Sequence, residues 1–265
     1  MKLTIITINY NDAIGLKKTI KSVNEQTFTD FEYIIIDGGS TDGSVEIIKE
    51  SSRVNYWVSE PDNGIYNAMN KGILVAKGDY LLMLNSGDWF CDKESLGLLA
   101  NKTGDFDIIY GDTYFVLPDN KIEENKLPNL ITFNYLAYYN AIPHQATLVK
   151  KEFIIKNGLY DENLKIASDW KFFLLSFFKW NASYLHKPHF ICYYDFGGIS
   201  STNRALAEAE EKKVLEEEFS NFDYLKEQMV LVDKILFSYK YSRIIRILKA
   251  LRLIKKIDYP KSIGY

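Results

Sequence analysis

Between residues 3 and 84, four short apolar runs alternate with three stretches of helical periodicity. Leu3 to Ile8, Tyr33 to Ile36, Tyr56 to Val58 and Tyr80 to Leu84 are short and rich in β-branched and aromatic residues, which predicts strands. Between them, Ile14, Leu16, Ile20 and Val23 are spaced for one helix face. Val45, Ile47 and Ile48 mark a second helix that Ser40-Thr41-Asp42 can cap. Asp62-Asn63-Gly64 opens a third through Ala68, Met69 and Ile73, ending near Gly78. Such alternation predicts an α/β fold with a mostly parallel central sheet flanked by helices on both faces. The unbroken apolar runs agree, because strands covered on both faces lose the polar alternation of a half-exposed sheet.

Each strand ends in a polar cluster: Asn9-Tyr10-Asn11, Asp37-Gly38-Gly39-Ser40, Glu60-Pro61-Asp62 and Asn85-Ser86-Gly87-Asp88. Open α/β sheets bind ligands at the carboxyl ends of their strands, so these clusters predict a binding rim. The Asp37 carboxylate can accept hydrogen bonds from a base or ribose, whereas Asp42 reads as a helix cap. Asp88, beside Gly87, can hold Mg2+ or Mn2+, since such ions take one or two protein carboxylates plus substrate phosphates. The plain alternative for Asp88 is a solvated turn former. A dinucleotide site wants Gly-x-Gly-x-x-Gly straight after the first strand, and here the first glycine is Gly15. Neither a P-loop nor a Gly-x-Ser-x-Gly elbow is present.

The remainder is less regular. Asp107 to Tyr110 and Ala146 to Val149 predict strands, Asp169 to Trp180 a Phe-rich helix, and Tyr184 to Tyr194 an extended segment. Residues 204–219 predict a charged helix, the start of a C-terminal helical extension. Residues 233–257 predict another, basic on one side through Lys240, Arg243, Arg246, Lys249 and Arg252 and apolar on the other. Such a helix either lies in the interface of an anionic membrane or packs on its own domain.

Composition narrows the partners. With 265 residues, 47% of them hydrophobic, the chain can bury a large core, and a net charge of -3 argues against a nucleic-acid partner. Cys91 and Cys192 have no metal-type or redox-type spacing, which fits a reducing compartment. The opening MKLTIITINYND reads as a strand rather than a signal peptide, because Asn9, Asn11 and Asp12 come too early. No run is long and uncharged enough to span a bilayer. The expected place is the cytoplasm, at the inner face of the cytoplasmic membrane if the basic helix docks there.

The strings ITINYND, SVNEQTFTDFEYIIIDGGSTDGS, SEPDNGIYNAMNKGILVAKGDY and LNSGD, in this order and spacing, resemble family 2 glycosyltransferases of the GT-A fold. The resemblance continues through PHQA, LYDENLKIASDW and GGISS, over about the first 200 residues. It implies that Ile8 and Tyr10 flank a nucleobase, that Asp37 hydrogen-bonds it, and that Asn70 and Lys71 line the donor diphosphate and sugar. Glu60 and Asp62 sit near the same pocket. Asp88 matches the metal-binding carboxylate of the family's Asp-x-Asp signature, although Asn85 and Gly87 stand where many relatives carry Asp. The family's C-terminal metal-binding His is missing, and Asp195 falls near its place. Asp169 matches the catalytic base, with helix N-cap as the plain alternative. His144 and Trp170 are candidates to touch donor or acceptor sugar, with structural roles as their alternatives.

The implied activity is inverting transfer of a sugar from a nucleotide diphosphate donor, a UDP-sugar, to a glycan or lipid-linked acceptor in surface polysaccharide assembly (capsule or lipopolysaccharide). A divalent cation, Mn or Mg, is the implied cofactor. Residues 1–100 are expected to bind donor, 101–203 to supply base and acceptor site, and 204–265 to form the helical extension. A non-catalytic sugar-nucleotide scaffold and a nucleotidyltransferase are the competing readings. The latter is disfavoured by the lack of a glycine- and lysine-rich loop after the first strand.

Overall fold

The computed structural model describes residues 2–101, 104–139, 141–197 and 203–219. In chain order the first half gives β1 (Leu3–Asn9), α1 (Ala13–Asn24), β2 (Phe31–Asp37), α2 (Ser44–Glu50), β3 (Tyr56–Ser59), α3 (Ile65–Val75) and β4 (Tyr80–Met83). Then come β5 (Trp89–Phe90), α4 (Ser95–Ala100), β6 (Ile108–Val116), β7 (Ile122–Asn125), β8 (Thr147–Lys150), α5 (Lys151–Lys156), α6 (Ser168–Phe178), β9 (Tyr184–Asp195) and α7 (Arg204–Glu218). The chain divides into two compact units, Met1–Glu211 and Lys212–Tyr265. The basic stretch expected over 233–257 and most of the GGISS segment lie outside the described residues.

The sheet runs β3-β2-β1-β4-β8-β6-β9-β5, with β7 beside β6. The four strands of the alternating region are all parallel, as expected. Beyond β4 the sheet is mixed: β8 is antiparallel to β4 and β6, while β9 runs parallel to β6. Successive side chains on a strand point to opposite faces, and the core obeys that period. Leu3 and Ile5, Tyr33 and Ile35, and Leu82 and Leu84 form one buried cluster with Leu16, Ile20 and Val23 of α1, Ile48 of α2 and Leu96 and Leu99 of α4. The intervening Ile6, Ile34 and Ile36 are buried on the other face, and α3 packs on β1 and β2. Each such aliphatic side chain contributes about 1.5–3 kcal/mol by leaving water.

Some expectations need correction. Ile14 is 88% exposed. It precedes Leu16 by two residues, about 200° round the helix, so the two cannot share a face. The strands β5 and β7 gave no readable signal, being two and four residues long, and β7 is mostly polar. The N-cap of α2 is Gly43 rather than Asp42, which stands one residue earlier and ties the two helix starts together, accepting from Ser44 N (3.1 Å) and from Ala13 N of α1 (2.7 Å).

Strand order places the ligand edge. The chain proceeds outward from β1 to β2 and β3, then returns to set β4 on the other side of β1. Neighbouring loops diverge at such a switch point and leave a crevice. The carboxyl ends of β1 and β4 lead into Asn9 to Asp12 and Asn85 to Asp88.

Candidate active site

The loops after β1 and β2 are tied to each other by side chains. Asp37 is fully buried and accepts from Asn9 Nδ2 (2.7 Å), Ser40 Oγ (2.6 Å), Ser40 N (2.9 Å) and Ser59 Oγ (2.6 Å). Burial alone raises its pKa, but these hydrogen bonds outweigh it and hold the carboxyl below its usual range. Asn11 N donates to Ser40 Oγ, and Thr41 N donates to Asn11 Oδ1. Beside this braced corner Tyr10 is 67% exposed, its ring open to a ligand.

The turn after β4 is pinned from α1. The Thr19 hydroxyl donates to Asp88 O (2.7 Å) and accepts from Gly87 N (3.1 Å). Gly87 has φ of +94°, a left-handed conformation that lets the chain reverse there. Asp88 is thereby turned inward and is only 4% exposed. Its Oδ1 accepts from Asp195 N (3.0 Å), and Gln145 donates to the same carboxylate. Desolvation dominates those bonds and pushes its pKa up to about 7. Lys18 stacks over the Trp89 ring, 2.9 Å from its centroid, within electrostatic reach of Asp195 and Asp88.

Asp169 opens α6. Its Oδ2 accepts from His144 Nδ1 (2.9 Å), and its Oδ1 meets the Tyr66 hydroxyl (2.8 Å) and Trp170 N (2.9 Å). The Tyr66 hydroxyl also lies against Ile166 O. Burial raises the Asp169 pKa, yet His144 and Tyr66 more than compensate, so the group stays an anion with a lowered pKa. The other imidazole nitrogen, Nε2, faces Asn85 Nδ2 at 3.1 Å. A carboxylate only accepts, so Nδ1 carries a hydrogen and points it at Asp169. His144 therefore bridges the Asp169 carboxylate and the Asn85 to Asp88 turn. From α7, Glu210 accepts from Lys165 N, Ile166 N and Ala167 N (2.8, 3.0 and 3.0 Å), clamping the loop that delivers Asp169. Its neighbour Glu211 is pushed up to about 7 by burial, Glu208 and Asp169.

The expected site residues divide. Tyr10, Asp37, Asp62, Asp88, His144, Asp169 and Asp195 lie on the rim or in contact with it. Lys71 and Glu60 lie there as an ion pair, Nζ to Oε1 at 2.7 Å. Ile8 is buried in β1, its side chain on the core. Asn70 is put to another use: its amide donates to Tyr160 O and Glu162 Oε1 and accepts from Tyr160 N. Both N–H donors and one lone pair of Oδ1 tie α3 to the 160–162 loop, leaving no donor for a diphosphate. Trp170 is buried and donates through Nε1 to Leu136 O (2.7 Å), so it fills the core rather than stacking on a sugar. Sequence reasoning missed Tyr66, Thr19, Gln145 and Glu210, whose partners are distant in the chain. Asn9 and Asn85 did carry a signal: each is a polar residue closing an apolar run.

The donor set at the turn fits a hard cation. Asn85 Oδ1 is a buried oxygen without a hydrogen-bond donor, and the Asp88 carboxylate lies three residues on. Asp195, at the end of β9, is exposed, and its Oδ1 accepts from Gly197 N. Among the described residues no cluster of three or more His, Cys, Asp or Glu could hold a metal ion. An ion here would need phosphate oxygens to fill its shell, as Mg2+ sites commonly do.

A family model described as Glycosyl transferase family 2 matches residues 4–164. A Mycobacterium tuberculosis protein described as an uncharacterized glycosyltransferase is 36% identical over 181 residues, 65% of this chain and 67% of that protein. A PGL/p-HBAD biosynthesis glycosyltransferase of Mycobacterium bovis is 28% identical over 211 residues, 75% of this chain and 79% of that protein. Among solved structures, S. aureus TarS 1-349 in complex with UDP-GlcNAc has a TM-score of 0.61 at 18% identity, covering 92% of this chain and 74% of that one. The mannosyltransferase PcManGT of Pyrobaculum calidifontis, in complex with GDP-Man and Mn2+, has a TM-score of 0.57 at 15% identity, covering 79% and 61%. At these identities the two structures speak for the fold.

Proposed function

The chain belongs to glycosyl transferase family 2 and has the GT-A fold, and on that premise we propose that it is an inverting transferase using a UDP-sugar. The acceptor is a hydroxyl of a glycan or lipid-linked sugar in surface polysaccharide assembly, handled at the inner face of the cytoplasmic membrane. Among the described residues no helix is long and apolar enough to cross a membrane. Residues 1–100 hold the donor and 101–203 bring the base and acceptor site. The observation that carries this reading is the continuous contact from Asp169 through His144 to Asn85, which joins a carboxylate to the switch-point turn.

In this mechanism the acceptor hydroxyl attacks the anomeric carbon while the nucleoside diphosphate leaves from the opposite face. The Asp169 carboxylate takes the hydroxyl proton as the new C–O bond forms. Its lowered pKa keeps it ionised at neutral pH, and the proton is held only in passing. His144, donating to Oδ2, and Tyr66, on Oδ1, fix the plane of the carboxylate. Asn85 Oδ1 and Asp88, with Asp195 alongside, would hold a divalent cation. Bound there, Mn or Mg would supply positive charge against the leaving diphosphate.

The test is product analysis with a panel of UDP-sugars and a lipid-linked acceptor. UDP release with an inverted anomeric configuration, seen by NMR, supports the reading. Asp169→Asn should lower kcat by about a thousandfold while leaving UDP affinity within about twofold. Retention of configuration, or full activity in that variant, would remove Asp169 from the mechanism.

A further inference from the structure

We propose that Asp62 is the carboxylate that reads the donor's nucleobase, accepting a hydrogen bond from uracil N3–H while Tyr10 covers the ring. This rests on the nucleotide-donor reading above and assigns one residue within it.

The carboxylate expected to meet the base, Asp37, has no capacity left. A carboxylate offers about four lone-pair positions. Asn9 and the Ser40 hydroxyl occupy Oδ1, and Ser40 N and Ser59 occupy Oδ2. The side chain has no exposed surface. Asp37 stiffens the corner and reaches no ligand.

Asp62 differs in each respect. It is half-buried and sits just before α3, where its Oδ1 accepts from Gly64 N at 2.9 Å. That bond fixes the carboxylate and leaves Oδ2 with no hydrogen-bond donor among the described residues. Oδ2 lies over Gly38: a Cβ added at residue 38 would stand 2.6 Å from it and 3.1 Å from Tyr10 Cδ2. A bare glycine backbone, a free carboxylate oxygen and the edge of an exposed aromatic ring thus meet at one point. A pyrimidine needs such a combination, with a flat face to stack on and an acceptor at its edge. Gly38 N already donates to Asn9 O, so the acceptor at this point is Asp62. Uracil presents an N–H at position 3 and cytosine a lone pair, so a carboxylate selects the first and repels the second.

The experiment is isothermal titration of the full chain with UDP, CDP and N3-methyl-UDP, in Mn2+, on wild type, Asp62→Asn and Gly38→Ala. Wild type should prefer UDP to CDP and to the N3-methyl analogue by about tenfold or more. In Asp62→Asn, Gly64 N–H still holds the side-chain oxygen, so an NH2 replaces Oδ2. UDP should weaken by about tenfold or more and CDP should become the better ligand, an inversion that misfolding cannot produce. Gly38→Ala keeps the charge but displaces it, so UDP should weaken without any gain for CDP. Equal UDP affinity in wild type and Asp62→Asn, or N3-methyl-UDP binding as well as UDP, would overturn the assignment and leave the transferase reading standing. If no nucleoside diphosphate binds wild type, the donor reading falls and the proposal falls with it.

Discussion

Asp88→Asn should make the protein more stable while removing its activity, and the gain should depend on pH. Asp88 is almost wholly buried, and desolvation raises its pKa from 3.8 to about 7. A shift of about three units corresponds to about 4 kcal/mol of preference for the protonated form. The folded state therefore binds more protons than the unfolded chain between the two values, and stability falls as pH rises through that window. Asparagine keeps the shape, accepts from Asp195 N as the carboxylate does, and never ionises; the Gln145 amide can turn to match it. Urea denaturation in EDTA should find the two proteins alike near pH 4. The variant should lead by about 2–4 kcal/mol at pH 8, the upper figure being a ceiling because water penetration softens burial. For a chain of 265 residues, with about 2.1 cal/mol/K of unfolding entropy per residue, that is a rise in Tm of about 4–7 °C. A cation must displace the proton, so Mn2+ should add to the stabilisation by UDP more at pH 8 than at pH 6 in wild type and add nothing in the variant. A constant difference across pH, or a less stable variant at pH 8, would show that Asp88 is not held against its ionisation.

Three further outcomes follow from contacts on either side of this turn. Trp170→Phe removes the bond from Nε1 to Leu136 O, and should cost about 1–2 kcal/mol in denaturation with donor KM unchanged; a raised KM would restore a sugar contact. Glu210→Gln replaces one acceptor oxygen with an NH2, set against the N–H of Lys165 or against those of Ile166 and Ala167. It should cost about 1–3 kcal/mol and speed amide hydrogen exchange there, and unchanged exchange would mean that α7 does not hold the loop. The basic stretch over 233–257 should carry the full chain upward with anionic vesicles in flotation and leave it behind with neutral ones, and loss of that difference would set membrane docking aside.

The legible parts of this chain are those encoded locally. The strand runs and the turns closing β1, β2 and β4 each depend on a few consecutive residues, and the parallel order follows from their alternation. The site was legible as a set of places and not as a set of contacts. Tyr66 reaches Asp169 across 103 positions and Thr19 reaches Asp88 across 69, and no short-range pattern reports such a pairing. Asn70 and Trp170 show the converse: an amide and an indole suit a ligand as well as they suit an internal cross-link. Only the partners, Tyr160 with Glu162 in one case and Leu136 in the other, decide between them.

Three aspartates of identical intrinsic chemistry take different parts here because of the donors around each. Asp37 and Asp169 are both penalised by burial, and both are returned to the ionised form by hydrogen bonds. Asp37 meets only fixed donors of its own corner and becomes structure. Asp169 meets an imidazole and a phenol, which hold its charge and orientation while leaving it at the lip of the crevice. Asp88 is given too few donors to offset its desolvation, so without a counter-charge it retains a proton near neutral pH. A carboxylate left short of donors beside an orphan amide oxygen is a poor device for stability and a good one for capturing a cation. The same shortage separates Asp62 Oδ2 from Asp37: the oxygen without a partner is the one free to read a ligand. For Asp88 and Asp62, unmet hydrogen-bonding capacity is what separates the proposed ligand group from the scaffold carboxylate Asp37; Asp169, well supplied with donors, is proposed as base because of its place at the end of the contact through His144 to Asn85.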